Sequence, residues 1–208
     1  MASLSQMSGA FMTLDSETEH REDIKGSVFI AHAGRADTPD QAIRYLQGLI
    51  QRYPDASHLA WAWRMGLRYR FSDGGEPTGT AGQPIYRAIE GQGLDHVVVG
   101  VIRYFGGTLL GAGGLMRAYG GTAAEALRQG RRREEWPRVT LRIGVSFAAM
   151  GALYRLLDDH AATDRTESYD EQGIAITCQV ASHRLEALQT RLKNATRDQF
   201  TLQRIEAP

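Results

Sequence analysis

Apolar and polar positions alternate, cluster and space themselves in a way that predicts most elements of this chain. Residues 24–33, IKGSVFIAHA, are rich in Val, Ile and Phe and predict a first strand. Thr38-Pro39-Asp40 predicts a helix start, with threonine as N-cap and proline at the first helical position. Ala42, Ile43, Leu46, Leu49 and Ile50 then recur at helical spacing, and Tyr53-Pro54-Asp55 closes the helix. HLAWAWRM places Leu59, Trp61, Trp63 and Met65 on one side of a strand, with Ala60, Ala62 and Arg64 on the other. A short strand follows over Leu67 to Phe71, then the turn-rich run SDGGEPTGTAGQP, then a short helix in PIYRAIEGQG. HVVVGVIRYF is continuously apolar and predicts a strand covered on both faces. Leu115, Tyr119, Ala123 and Leu127 share one face of a helix running to Gln129.

GRRREEWPR, residues 130–138, is an abrupt change in composition. Beyond it the pattern reads strand (RVTLRIGVSF), helix (MGALYRLLDDH), hairpin turning near Asp170 to Gly173, helix (SHRLEALQTRLKNA), strand (QFTLQRI). That order, β-α-β-β-α-β, is the ferredoxin-like unit. The expected organisation is an α+β chain: a tail over 1–17, a first domain over 18–130, a linker over 131–137 and a ferredoxin-like domain over 138–208.

Composition narrows the chemistry. The chain has 208 residues, 42% hydrophobic and 23% charged, with a formal net charge of zero, which speaks against whole-surface attraction to nucleic acid. Its single cysteine, Cys178, lies in an apolar strand pattern and reads as a buried thiol in a reducing, cytoplasmic compartment. No apolar run of membrane-spanning length occurs, and no basic-then-apolar leader opens the chain. The six histidines show no paired metal-ligand spacing, so no metal and no cofactor is expected. The catalytic assignment stays open, with a non-enzymatic protein favoured.

Fourteen of the 23 glycines fall between Gly74 and Gly121, eleven of them in two stretches. The first is SDGGEPTGTAGQP, Ser72 to Pro84, and the second RYFGGTLLGAGGLMRAYGG, Arg103 to Gly121. Glycines let another backbone approach closely, and a glycine loop opening a helix offers N–H groups to an anion. The candidate ligand-binding face comprises Ser72, Asp73, Glu76, Thr78, Thr80 and Gly82 from the first stretch. Arg103, Tyr104, Gly106, Gly107, Gly111, Gly113, Gly114, Arg117 and Tyr119 complete it from the second. Arg103 and Arg117 are read as phosphate or carboxylate partners, and Asp73 and Glu76 as helix caps or partners of a basic group. The alternative is a phosphate- or nucleotide-binding enzyme using Gly106 to Gly121, although no Walker G-K-[ST] and no GxGxxG is present.

SDGGEPTGTAGQP followed by VIRYFGGTLLGAGGLMRAYGG resembles the signature of the IMPACT/YigZ family. The resemblance covers about residues 18–130, and the ferredoxin-like tail matches the second domain of bacterial members. It implies a ribosomal-protein-like first domain, as in domain IV of elongation factor G, and a second domain like domain V of that factor. It also implies a translation-associated role with RNA, the ribosome or a translation factor as partner. Two departures stand out: Asp73-Gly74 replaces a common pair of aspartates, and Ala60 stands where cysteine is frequent.

Overall fold

The computed structural model describes residues 9–205, so residues 1–8 of the expected tail lie outside the described residues. The chain divides into two units, one spanning Phe11–Glu135 and the other running on from Trp136.

In the first unit, β1 (Phe11–Leu14) is followed by β2 (Thr18–Ile24) and β3 (Ser27–Arg35). Next come α1 (Pro39–Arg52), β4 (His58–Met65), β5 (Arg68–Ser72), α2 (Gly82–Gly91), β6 (Val97–Tyr104), α3 (Gly111–Gln129) and β7 (Arg132–Glu135). Five of these strands form one sheet in the order β2-β3-β6-β4-β5, antiparallel throughout. The β3-α1-β4 crossover therefore straddles β6, which fills the gap between two strands that run the same way. The central place of β6 explains its uninterrupted Val-Val-Val-Gly-Val-Ile run; seven of the strand's eight residues are buried.

One face of the sheet is covered by α1. Thr38 caps that helix through Oγ1, which accepts from the Gln41 N–H, and Pro39 occupies the first turn. Its buried stripe is narrower than the periodicity predicts: Ala42, Leu46 and Leu49 are buried, while Ile43 and Ile50 are exposed. Trp63, Met65, Ile30 and Ile102 complete this layer of the core. On the other face, α2 and α3 pack against Phe29, Ala31, Ala33, Ala60 and Ala62. The small residues of β4 thus face the two helices, where their size permits close approach, and its large ones face α1.

Two expected boundaries move. Residues 24–33 are not one strand: Lys25 and Gly26, both at positive φ, turn β2 into β3, with Ser27 opposite Ile24. Arg132–Glu135, read from composition as linker, is the strand β7, paired antiparallel with β1. β1 itself comes from the stretch read as tail, and Leu14 is fully buried in the core.

The second unit contains β8 (Arg138–Ser146), α4 (Met150–Asp159), β9 (Thr163–Tyr169), β10 (Gly173–Ala181), α5 (Leu185–Thr196) and β11 (Phe200–Ile205). Its sheet runs β11-β8-β10-β9, all antiparallel. This is the β-α-β-β-α-β order with the first and third strands central. Leu153, Leu157, Leu188 and Leu192 bury one face of that sheet, and Cys178 sits among them. Burial pushes the Cys178 thiol up from its ordinary value. No described helix is long and apolar enough to cross a membrane.

Candidate functional site

The turn-rich stretch after β5 is held on itself. Asp73 supplies both carboxylate oxygens: Oδ1 accepts from the Ala81 and Gly82 N–H groups at 3.0 and 2.8 Å, and Oδ2 from Gly79 at 2.8 Å. It thereby satisfies the first amides of α2. Burial would raise the Asp73 pKa, but these three backbone donors hold it below its ordinary value. Thr80 is buried and donates through Oγ1 to the Pro77 carbonyl at 2.6 Å. Ser72 Oγ accepts from the Gly74 N–H at 3.3 Å. Gly74 is the steric pivot: its φ is +60°, and a Cβ there would stand 1.9 Å from the Leu59 carbonyl oxygen. Gly82 is buried against the backbone of Ser72, and Thr78 is exposed.

Glu76 and Arg103 form the centre of the arrangement. Glu76 Oε1 accepts from Arg103 Nη1 at 2.7 Å and from the Tyr119 hydroxyl at 2.8 Å, with side-chain exposures of only 4% for Glu76 and 5% for Arg103. Tyr119 is fully buried. Burial first, then its bond to Glu76, holds its phenol well above the ordinary range. Arg103 is also wedged between aromatic rings, 5.5 Å from the centroid of Phe29 and 5.4 Å from that of Phe105. Ser27 Oγ accepts from Arg103 Nη2 at 3.3 Å and from the Gly106 N–H at 3.2 Å. His58 Nδ1–H donates to the Gly74 carbonyl at 3.1 Å, and its Nε2 lies 3.9 Å from Glu76 Oε1. One buried ion pair therefore ties β3, β6, α3 and the first glycine stretch together.

The second glycine stretch divides into a packed part and an open part. A Cβ on Gly106 would meet the Gly26 carbonyl oxygen at 1.9 Å, so this residue seats the loop on the β2-β3 turn. After it the chain turns outward. Phe105 is 49% exposed and Leu109 87%. Gly107, Gly111 and Gly113 are exposed, and Gly114 is half-buried. α3 begins four residues earlier than its apolar spacing predicts, so Gly111, Gly113 and Gly114 form its first turn. No side chain caps it. Arg117, exposed on the following turn, has no hydrogen bond or ion pair to a described residue. Tyr104 donates its hydroxyl to Asp55 Oδ1 at 2.9 Å.

The fifteen residues singled out from sequence thus separate. Ser72, Asp73, Glu76, Thr80, Gly82, Arg103, Gly106 and Tyr119 hold the scaffold. Gly107, Gly111, Gly113, Gly114 and Arg117 are offered to solvent around the start of α3. Arg103, read as a phosphate partner, has its charge turned inward to Glu76. Sequence reasoning missed Ser27 and Phe29, the residues that seat Arg103, because the turn at Lys25-Gly26 was absorbed into a longer strand. Among the described residues no three His, Cys, Asp or Glu side chains come together as metal ligands.

Comparison with known proteins identifies relatives of this chain. A family model described as "Impact N-terminal domain" matches residues 25–127. A Thermus thermophilus protein, "IMPACT family member in pol 5'region", is 49% identical over 153 residues, 73% of this chain and 82% of the relative. The Escherichia coli (strain K12) "IMPACT family member YigZ" is 42% identical over 113 residues, 52% of this chain and 55% of the relative. A solved structure described as "Crystal structure of an hypothetical protein" superposes with a TM-score of 0.79 at 27% identity, covering 96% of this chain and 98% of that one.

Proposed function

The chain belongs to the IMPACT family, and on that premise we propose that it is a translation-associated protein that binds the phosphate backbone of ribosomal RNA through the start of α3. The observation that carries this reading is the exposed, glycine-built and uncapped N-terminus of that helix, with Arg117, unpaired among the described residues, one turn on. The first amides of a helix have no partner within it, and the helix dipole favours an anion there. α2 supplies the contrast, because Asp73 already occupies its N-terminus. Phe105 adds a half-exposed ring on which a base can stack, held from beneath by the Arg103 guanidinium. The likeness to domains IV and V of elongation factor G that the family resemblance implies directs the search to the ribosome, although fold alone does not fix function.

The test is co-sedimentation with ribosomes at low and high salt, comparing the wild type with Arg117→Glu. Expected is binding at low salt that falls steeply as salt rises and is lost in the variant. Equal binding by the two proteins would overturn the reading. The nucleotide-enzyme alternative uses the same loop, and a melting temperature raised by a nucleotide would favour it instead.

A further inference from the structure

A second exposed surface lies at the opposite edge of the five-stranded sheet from β2, on β5. A two-residue turn, Gly66-Leu67, joins β4 to β5, with Gly66 at φ +62° and Met65 opposite Arg68. In such a hairpin the residues flanking the turn form a hydrogen-bonded pair, and bonded and non-bonded pairs then alternate. Met65–Arg68, Trp63–Arg70 and Trp61–Ser72 are therefore the bonded pairs. The N–H and C=O groups of Tyr69 and Phe71 point away from β4, along an edge that no described strand covers.

The side chains of this edge are sorted by face. Tyr69 and Phe71 project toward α2, where their rings lie 4.5 and 6.1 Å from that of Tyr86; Tyr69 is 54% exposed. Arg68 and Arg70 project to the other face, beside Met65 and Trp63. Both arginines are exposed, and neither makes a hydrogen bond or ion pair with a described residue. β5 carries no acid. Of the nearby acids, Glu90 accepts from the Tyr86 hydroxyl at 2.9 Å, and Asp95 is largely buried against the Gly66 and His96 N–H groups. β2, the other edge, carries acids and bases in mixture.

We propose that β5 is a docking edge for an extended, acidic peptide segment of a partner protein, which adds to the sheet as a sixth strand. Free backbone groups supply the ladder, and the two faces read alternate side chains. An added strand has a period of two, so the residues above Tyr69 and Phe71 are apolar and those beside Arg68 and Arg70 are acidic. A second copy of this chain is disfavoured, since antiparallel β5–β5 pairing sets arginine against arginine on one face. A nucleic-acid strand fits less well. Its phosphates and bases would need the cations and rings on one face, whereas β5 separates them, and the Tyr69 and Tyr86 rings already stack on each other. The inference is independent of the α3 face.

Fluorescence anisotropy tests it on the full chain with a labelled nine-residue peptide alternating glutamate and valine. Controls are the same composition in block order, the alternating peptide N-methylated at every second residue, and a single-stranded oligouridylate. The alternating peptide is expected to bind saturably, and the Arg68→Glu, Arg70→Glu double variant to weaken it at least about tenfold, or about 1.4 kcal/mol. Arg117→Glu should leave peptide binding unchanged, and the block-ordered and N-methylated peptides should fail to bind. Equal binding by the double variant or by the block-ordered peptide would overturn the proposal. So would the absence of saturation at about 1 mM peptide. Oligouridylate binding that the double variant abolishes, without peptide binding, would assign the edge to nucleic acid instead.

Discussion

Replacing Arg103 by methionine isolates the buried ion pair that organises the first unit. The change keeps an unbranched apolar stem but removes the guanidinium, and with it the charge and the contact of Cζ with the Phe29 and Phe105 rings. Among the described residues, Glu76, with 4% of its side chain exposed, then retains only the Tyr119 hydroxyl at hydrogen-bond distance, since His58 Nε2 stands 3.9 Å away. At an effective dielectric near 20, unit charges about 4 Å apart attract by about 4 kcal/mol. Removing one partner of a buried pair costs about 3–5 kcal/mol, because it strands the other charge. The Glu76→Met variant should cost a similar amount by stranding Arg103. The double variant leaves only the Tyr119 hydroxyl without its acceptor, a loss of about 1–3 kcal/mol. It is therefore expected to be more stable than either single variant. Urea denaturation followed by tryptophan fluorescence measures all three, with Trp61 and Trp63 reporting from the same sheet. A cost below about 1 kcal/mol for Arg103→Met, or a double variant whose cost equals the sum of the singles, would show that Glu76 and Arg103 are not a coupled buried pair.

Other consequences follow from the same geometry. Gly74→Ala and Gly106→Ala each drive a Cβ into a carbonyl oxygen and should cost at least about 2 kcal/mol by chemical denaturation. Gly107→Ala, at φ +83° but in open space, should cost about 1 kcal/mol. Asp73→Ala removes the cap of α2 and should cost about 1–2 kcal/mol at neutral pH. Because the folded pKa of Asp73 lies below its ordinary value of 3.8, its contribution is complete above that value and is lost as pH falls through the lower folded value. Wild type and Asp73→Ala stabilities should therefore converge in acid; a gap that stays constant from neutral to strongly acidic pH would contradict the cap. Cys178, buried with a raised pKa, should react with a thiol reagent only at the rate at which its unit opens, and fast labelling in native buffer would contradict its placement.

Periodicity carried most of the fold. β6 and β4 announce themselves through runs that only strands bury on two faces, and the second unit keeps clean strand and helix patterns from Arg138 onward. What escaped notice was short or polar. Lys25-Gly26 is a two-residue turn inside an otherwise strand-like run, and β2 is dominated by charged residues because it is an edge. β7 is arginine and glutamate throughout, so it reads as linker until its pairing with β1 is seen. The two glycine stretches stand out in the sequence as a cluster, but the division of labour within them does not. Arg103 and Arg117 are alike in sequence. Only the inward register of β6, which aims Arg103 at Glu76, and the exposed turn of α3 beneath Arg117 tell them apart. Leu67, Tyr69 and Phe71 look like an ordinary strand until the sheet order leaves β5 at its edge.

The start of α3 is proposed above as the surface that meets phosphate. It is tested most directly by backbone amide NMR shifts on titration with a short single-stranded RNA, wild type against Arg117→Glu. Expected are perturbations concentrated at Gly107, Gly111, Gly113 and Gly114, weakened by added salt and absent in the variant. Shifts confined to β5 and the second unit, or none at all, would contradict it.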